Sequence, residues 1–205
     1  YELTYIDFGK KEQKSDWYMQ LNPNGRIPTI VDRGNDDFAV FESGAILWYL
    51  AEKYNRFLPT GKNVRSQALQ WLMFQMSGIG PMMGQAMYFQ RIAAPQGIDD
   101  EYAINRYVTE SRRLLEVLDR QLEGQTYLLG DDFTIVDMAT YPWARSHYWA
   151  QVTIDGLEHL QGWFDRIDAR PATQRALEIP NPFPAFFGKG DVVTSEADNA
   201  ARFRA

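Results

Sequence analysis

The sequence predicts a small α/β domain followed by a larger all-helical domain. Residues before Pro59 contain short β-prone runs and one well-patterned helix. From Arg65 onward, nearly every apolar run has helical periodicity. Pro59 and Gly61 fall between the two regions, in a stretch typical of a linker. A change from mixed to purely helical patterning marks a boundary between domains of different class.

The first domain is predicted to contain three strands and one main helix. The strands are expected at residues 1–8, 27–32 and 38–41. A polar stretch over residues 10–20 ends in a predicted helical turn around Trp17 and Tyr18. A loop rich in Gly, Asn and Asp over residues 33–37 suits a hairpin between the last two strands. Residues 43–54 then change to a helical period.

The second domain is predicted to contain helices only. They are expected at residues 65–76, continuing toward Arg91 after a bend near residues 78–81, and at residues 99–123, at residues 157–168 and from Pro171 onward. Thr134 and Asp137 have the spacing of a capping box, so a further helix is predicted from there to about Tyr148. The predicted bounds are 1–59 for the first domain, 60–64 for the linker, 65–180 for the helical domain and 181–205 for an extended tail.

Composition excludes several classes of function. The net charge of -6 argues against a nucleic-acid partner, because phosphate binding needs a basic face. The chain has no cysteine, which excludes disulfides, thiolate metal sites and a cysteine nucleophile. His147 and His159 match no common metal motif, so no metal site is expected. Without an apolar run of roughly 20 residues or a signal-peptide pattern, we expect a cytoplasmic protein with no membrane partner.

Two dipeptides in the first domain have the chemistry of a peptide-binding site. Pro28 lacks an N–H, so Ile27-Pro28 belongs at a strand start or edge. A cis bond there would turn the backbone of Ile27 outward to pair with an extended peptide, although the dipeptide alone favours an ordinary trans proline. Ser43 is a good N-cap for the following helix. A helix start also binds anions, and Glu42 beside it suits an α-ammonium group.

Several segments resemble the cytosolic glutathione transferases. In the first domain these are IDFGKKEQ, LNPNGRIPTIVD and FESGAILWYLAEKY. In the second, YLLGDDFTIVDMATYPW resembles the N-capping box and hydrophobic staple of that superfamily. Two further segments, QWLMFQMSGIGPMMGQAMYF and YAINRYVTESRRLLEVLDRQL, resemble the nu-class bacterial transferases and the fungal group named after the yeast nitrogen-regulator prion.

The resemblance implies a thioredoxin-like domain followed by an all-helical one, with glutathione as co-substrate and no metal. It implies that Pro28 is the family's cis-proline and that the Ile27 backbone pairs with the cysteinyl part of glutathione. Glu42 and Ser43 would hold the γ-glutamyl end, and Gln13 would contact the peptide. The alternative for Gln13 is a solvated loop residue.

Further implied positions lie in the helical domain. The resemblance implies that Arg106 matches an arginine that reaches a glutathione carboxylate, and in a homodimer this arginine would act across the interface from the partner subunit. Its alternative is an exposed helix charge paired with Glu110 at i+4. Met83, Tyr88 and Phe89 are candidates for contact with a hydrophobic substrate, in a Met-rich stretch that is otherwise expected to be core.

One feature departs from the family pattern. The first strand and helix of the family, which carry the group that polarises the glutathione sulfur, have no counterpart here. In a thioredoxin-like sheet that strand lies between the second and third, so residues 2–6 would lack a neighbour. We therefore expect that a strand–helix unit of roughly 25 residues is missing from the N-terminus of this sequence. No catalytic residue is assigned.

The resulting hypothesis is a homodimeric enzyme that uses the thiol of glutathione. Its second substrate would be a disulfide, a peroxide or a small electrophile to be conjugated, and the resembled subgroup favours disulfide or peroxide reduction. One alternative is a non-catalytic glutathione-binding protein that regulates or contacts another protein. Another is a docking scaffold with a degenerate site.

Overall fold

The computed structural model describes residues 1–179, and the chain divides into two compact units, Tyr1–Leu58 and Pro59–Ala205. The first unit combines helices with a small sheet, and the described part of the second consists of helices and their connecting loops. This confirms the predicted fold class of an α/β part followed by an all-helical part. The predicted tail at residues 181–205 lies outside the described residues.

A two-stranded antiparallel hairpin forms the sheet of the first unit. Strand β1 (Thr29–Asp32) pairs with strand β2 (Phe38–Phe41). The other elements are a 3-10 turn at Glu12–Lys14, helix α1 (Asp16–Leu21) and helix α2 (Ser43–Tyr54). The predicted bounds of β2 and α2 are confirmed. Pairing of β1 starts two residues later than predicted, because Pro28 has no N–H to donate to the ladder.

The predicted strand at residues 1–8 is wrong, since residues 1–7 have no regular secondary structure. Their β-prone side chains are largely exposed, including Tyr1, Leu3 and Tyr5. Alternating β-formers make a strand only when a neighbour pairs with their backbone groups. Within residues 1–179 the one sheet consists of β1 and β2, so the segment has no strand to pair with.

A charged network joins the hairpin to α2. The Asp32 carboxylate accepts hydrogen bonds from the Tyr49 hydroxyl (2.6 Å) and the Gly34 N–H (3.0 Å), and Lys53 forms an ion pair with it. Asn35 Nδ2 donates to the Tyr49 hydroxyl (3.1 Å). Because Tyr49 and Lys53 lie one turn apart on α2, the network fixes that helix against the turn of the hairpin.

This network predicts an acid-sensitive contribution to stability. Hydrogen bonds from Lys53 and then from Tyr49 lower the pKa of Asp32 below its ordinary value of 3.8. A carboxyl with a lowered folded-state pKa stabilises the fold above its unfolded pKa, and this contribution is lost as the pH falls through the folded pKa. Asp32→Asn should therefore lower the urea midpoint near neutral pH, by a margin that shrinks below about pH 4.

The control for this experiment is Asp36→Asn, which changes an exposed carboxyl in the same turn. Its urea midpoint should follow that of the wild type at every pH. A midpoint difference between wild type and Asp32→Asn that stays constant from about pH 6 to about pH 3 would contradict the linkage argument.

The described part of the second unit contains six α-helices. They are α3 (Lys62–Phe74), α4 (Gly80–Tyr88), α5 (Glu101–Leu122), α6 (Ile135–Arg145), α7 (Glu158–Asp168) and α8 (Pro171–Ala176). Helix α3 starts inside the segment 60–64 that was predicted as a linker. The bend expected near residues 78–81 is a π-helical segment, Gln75–Ile79, and a second one, Phe89–Ala93, follows α4. Within residues 1–179, every helix is too short or too polar to cross a lipid bilayer.

A buried carboxylate holds the second unit together. Asp137 accepts hydrogen bonds from the Thr134 N–H (2.9 Å) and hydroxyl (3.1 Å), which confirms the predicted capping box at the start of α6. It also accepts from the Leu128 N–H (3.0 Å) and from Trp163 Nε1 (3.0 Å). Burial raises the pKa of Asp137, and its hydrogen-bond donors act in the opposite direction. A single side chain thus joins a loop, α6 and α7.

Candidate functional site

The loop before β1 presents a free backbone edge. The Ile27–Pro28 bond is cis, as the resemblance implies. Ile27 is 50% exposed, and within residues 1–179 neither its N–H nor its C=O has a hydrogen-bond partner. A free donor and acceptor beside a strand form a template to which an extended peptide can pair.

Helix α2 begins with uncapped amide groups. Glu42 is the N-cap, since its C=O accepts the first helical bond from the Ile46 N–H (2.9 Å), and Ser43 is the first helical residue. The expected N-cap role of Ser43 is therefore wrong by one position. Among residues 1–179, no side chain caps this helix start. The first amides of α2, from Ser43 onward, thus lack a capping partner, which is the arrangement that binds an anion.

Glu42 has an unusual backbone conformation. Its φ of 67° and ψ of 119° lie in a region that residues other than glycine rarely adopt. Such a conformation costs about 1–3 kcal/mol and persists where the surrounding structure enforces it, often at functional sites. The exposed carboxylate is held by Asn24, whose Nδ2 donates to Oε1 at 3.3 Å. An oriented carboxylate therefore stands at the uncapped start of α2.

Gln13 is in the 3-10 turn Glu12–Lys14. Its side-chain oxygen is buried and has no hydrogen-bond partner among residues 1–179. The alternative of a solvated loop residue is therefore wrong for this atom. A buried acceptor without a partner costs free energy, so its presence favours a ligand that supplies the missing donor.

The turn between α1 and β1 packs tightly against this region. Gly25 has a φ of 59°, and a Cβ there would lie 2.8 Å from the Gln13 carbonyl oxygen and 2.7 Å from Met19 Sδ. Only glycine fits, which gives a physical reason for the glycine that ends the segment Asn-Pro-Asn-Gly at residues 22–25. Gln13 is thus packed against a crowded turn, and Glu42 is held by Asn24. The sequence did not predict this role of Asn24.

The second unit has a cleft of its own. It has a volume of about 610 Å³, and its lining consists of Met82 on α4 and five residues of α5, namely Tyr102, Asn105, Arg106, Thr109 and Glu110. Their spacing of three and four residues places them on one face of the helix. Arg106 is exposed, and within residues 1–179 it has no hydrogen bond or ion pair. Its guanidinium is thus available to an anionic ligand.

The alternative partner of Arg106 is already engaged. Glu110 accepts from Arg113 Nε (2.8 Å) and Arg113 Nη2 (2.7 Å), a bidentate pair. This hydrogen bonding is the main cause that lowers the pKa of Glu110, to which the charge of Arg106 adds a smaller effect. The alternative i,i+4 pair between Arg106 and Glu110 is therefore not formed, because Arg113 occupies both carboxylate oxygens.

The three candidates for a hydrophobic substrate differ in exposure. Met83 is fully buried, so its predicted contact with a substrate is wrong and it belongs to the core of the second unit. Tyr88 is 45% exposed and meets Phe89 edge-on, with ring centroids 5.5 Å apart. Phe89 in turn stacks on Tyr107 (5.6 Å). Tyr88 and Phe89 thus belong to one partly exposed aromatic cluster, and their contact with a substrate stays a prediction.

Neither a metal site nor a thiol activator emerges from the described residues. Within residues 1–179 no group of three His, Asp or Glu side chains could hold a metal ion. The sequence contains no cysteine. The first unit offers four groups for recognition, namely the Ile27 backbone, the carboxylate of Glu42, the amides that start α2 and the buried oxygen of Gln13.

Comparison with protein families gives two matches. Residues 1–52 match the glutathione S-transferase N-terminal domain, and residues 82–171 match the glutathione S-transferase C-terminal domain. The chain is 42% identical over 183 residues to the disulfide-bond oxidoreductase YfcG of Escherichia coli (strain K12), which covers 86% of this chain and 83% of that protein.

Solved structures of similar proteins contain glutathione. The fold matches a glutathione transferase from Burkholderia graminis with two glutathione molecules bound per subunit, at a TM-score of 0.83 and 41% identity, covering 88% of this chain and 78% of that chain. It also matches Ure2p in complex with glutathione, at a TM-score of 0.81 and 30% identity, covering 86% of each chain.

Proposed function

Because the chain belongs to the glutathione S-transferase family, we propose that it binds glutathione and uses its thiol to reduce disulfide bonds. The observation that carries this proposal is the uncapped start of α2 beside the Glu42 carboxylate. The γ-glutamyl end of glutathione has an α-ammonium and an α-carboxylate on one carbon. Glu42 is suited to the first group, and the amides of α2 from Ser43 onward are suited to the second.

The rest of the peptide has matching groups in the first unit. The free N–H and C=O of Ile27 are suited to the cysteinyl backbone, which would lie alongside as an added strand. The unpaired oxygen of Gln13 is suited to a peptide N–H. These contacts fix glutathione by its backbone and leave its thiol free to react.

The proposed reaction takes both of its reducing sulfurs from glutathione, because the chain has no cysteine. A glutathione thiolate attacks one sulfur of the substrate disulfide, the S–S bond breaks, and a mixed disulfide and one substrate thiolate form. A second glutathione thiolate then attacks the glutathione sulfur of the mixed disulfide. This gives glutathione disulfide and the second substrate thiolate. Two electrons and two protons pass from two glutathiones to the substrate.

Two observations favour disulfide reduction over the other reactions of the family. The similar protein from E. coli is named a disulfide-bond oxidoreductase, and the similar structure from B. graminis holds two glutathione molecules per subunit. Peroxide reduction and conjugation remain outcomes of the test below. The homodimer implied by the resemblance and the cytoplasmic location expected from the sequence are part of the same proposal.

The test is a comparison of substrates under one set of conditions. Turnover of 2-hydroxyethyl disulfide with glutathione, followed by formation of glutathione disulfide, should exceed that of cumene hydroperoxide and of chlorodinitrobenzene. The opposite ranking assigns the protein to peroxide reduction or conjugation. Glutathione binding without turnover of any of the three would contradict the enzyme and support a regulatory or interaction protein.

Arg106 gives a prediction of its own. Arg106→Ala should weaken glutathione binding by about tenfold, the effect of losing one charge-assisted hydrogen bond, and should leave the oligomeric state unchanged. Titration calorimetry measures the glutathione affinity, and light scattering after gel filtration measures the oligomeric state. The control is Arg120→Ala, an exposed arginine on the same helix that lies outside the cleft. Equal glutathione affinity for both variants would refute the role of Arg106.

A further inference from the structure

Two buried side chains converge on the backbone carbonyl just before Ile27. The Tyr18 hydroxyl donates to the Arg26 C=O at 2.8 Å, and Asn22 Nδ2 donates to the same oxygen at 2.6 Å. Tyr18 is 4% exposed and Asn22 is 2% exposed. Thr29 closes the cluster, since its Oγ1 lies 3.0 Å from the Tyr18 hydroxyl and 3.2 Å from Asn22 Nδ2.

The direction of this carbonyl fixes the direction of the next amide. The Arg26–Ile27 peptide bond is trans, since the one cis bond among residues 1–179 is that between Ile27 and Pro28. In a planar trans peptide, the C=O and the following N–H point in opposite directions. Because the Arg26 C=O points into the cluster of Tyr18 and Asn22, the Ile27 N–H points away from it. This agrees with the absence of a partner for that N–H in the described chain.

We infer that Tyr18 and Asn22 are positioning residues, which aim the Ile27 N–H at a carbonyl of the bound peptide. This inference rests on the proposed function and names residues that act through another group, without touching the ligand themselves. The sequence predicts neither role, since it places Tyr18 only in a helical turn and assigns no function to Asn22.

The physical basis is preorganisation. A peptide plane in an exposed loop rotates easily, and a ligand that must stop this rotation binds more weakly. Two donors on one carbonyl oxygen hold the plane before the ligand arrives. Asn22 is itself fixed, because its Oδ1 accepts from the Asn24 N–H at 2.9 Å. We call Tyr18 and Asn22, with their two hydrogen bonds to the Arg26 carbonyl, the brace. Through Asn22, the brace links the Ile27 amide to the turn whose Asn24 side chain holds Glu42.

The leading test is Tyr18→Phe, which removes one donor and keeps the buried ring. Glutathione affinity should fall about fivefold to tenfold, the effect of one neutral hydrogen bond in a positioning role. Asn22→Ala should act in the same direction. Amide hydrogen exchange supplies a readout that lost stability alone does not move. In wild type, the Ile27 N–H should exchange freely without ligand and become protected when glutathione is added, and Tyr18→Phe should reduce that protection.

The matched control is Tyr141→Phe. It also removes a hydroxyl that donates to a partner, here the carboxylate of Asp168 in the second unit. It should lower stability by a similar amount and leave glutathione affinity and the Ile27 amide unchanged. Equal affinity and equal Ile27 protection in wild type and Tyr18→Phe would overturn the inference.

The outcome also separates this inference from the proposed function. If wild type does not bind glutathione, the proposed function fails. Amide hydrogen exchange in the free protein then tests only whether the Ile27 N–H points away from Tyr18 and Asn22. The brace would still be supported if the Ile27 N–H exchanges freely in wild type and is more protected in Tyr18→Phe, because the released peptide plane can then turn inward. An Ile27 N–H that is already protected in free wild type would overturn it.

Discussion

Replacing Asp137 by alanine is expected to lower the free energy of unfolding by about 3–5 kcal/mol, because it leaves several buried donors without an acceptor. The lost acceptor serves the Thr134 N–H and hydroxyl, the Leu128 N–H and the indole N–H of Trp163. All three partner residues are buried. A typical domain is stable by about 5–15 kcal/mol, so a loss of this size removes a large fraction of that margin.

Urea denaturation followed by tryptophan fluorescence measures this loss, since Trp163 reports on the site itself. Asp131→Ala is the matched control. It removes an exposed carboxylate in the same loop that accepts one hydrogen bond from the Thr126 hydroxyl (3.0 Å), and it should cost less than about 1 kcal/mol. If Asp137→Ala were no more destabilising than Asp131→Ala, the buried network would not hold the second unit together.

Replacing Glu42 by glutamine is expected to weaken glutathione binding by about tenfold to a hundredfold, the range for a lost charge-assisted hydrogen bond. Glutamine keeps the size of the side chain and keeps an oxygen that can accept from Asn24 Nδ2. What it loses is the negative charge that would attract the α-ammonium group of glutathione. The fold should be unaffected, because the side chain of Glu42 is exposed.

A second substitution at the same position separates binding from stability. Glycine accepts the φ of 67° without strain, so Glu42→Gly should unfold no more easily than wild type while losing glutathione affinity. Asp37→Asn, an exposed acid paired with Arg33 in the same unit, is the control for charge. Titration calorimetry that gave wild-type affinity for Glu42→Gln would remove Glu42 from the site.

Local patterns predicted much of the fold. Strand β2 and helix α2 have the predicted bounds, because a hairpin loop and a change of period are both encoded within a few residues. The capping box at Thr134 and Asp137 is equally local. The segment at residues 1–8 failed for the opposite reason, since its strand required a neighbour that no local pattern supplies.

The candidate site was predictable in part. The resemblance supplied Ile27, Glu42 and Ser43, and the cis bond at Pro28 agrees with it. Contacts between distant positions were not predictable, such as the donation from Asn24 to Glu42 or the two donors on the Arg26 carbonyl. The burial of Met83 was not predictable either, because the Met-rich pattern fits both a substrate contact and a core, and helical packing encloses this side chain completely.

An amide NMR titration of the protein with glutathione tests the proposed site most directly. We expect saturable shifts concentrated at Ile27, at Ser43 and at Gly44, which are the backbone donors proposed to meet the peptide. We also expect that Glu42→Gln needs more glutathione to reach the same shifts. Saturable binding that leaves these three amides unmoved, or no binding at all, would contradict the proposed site.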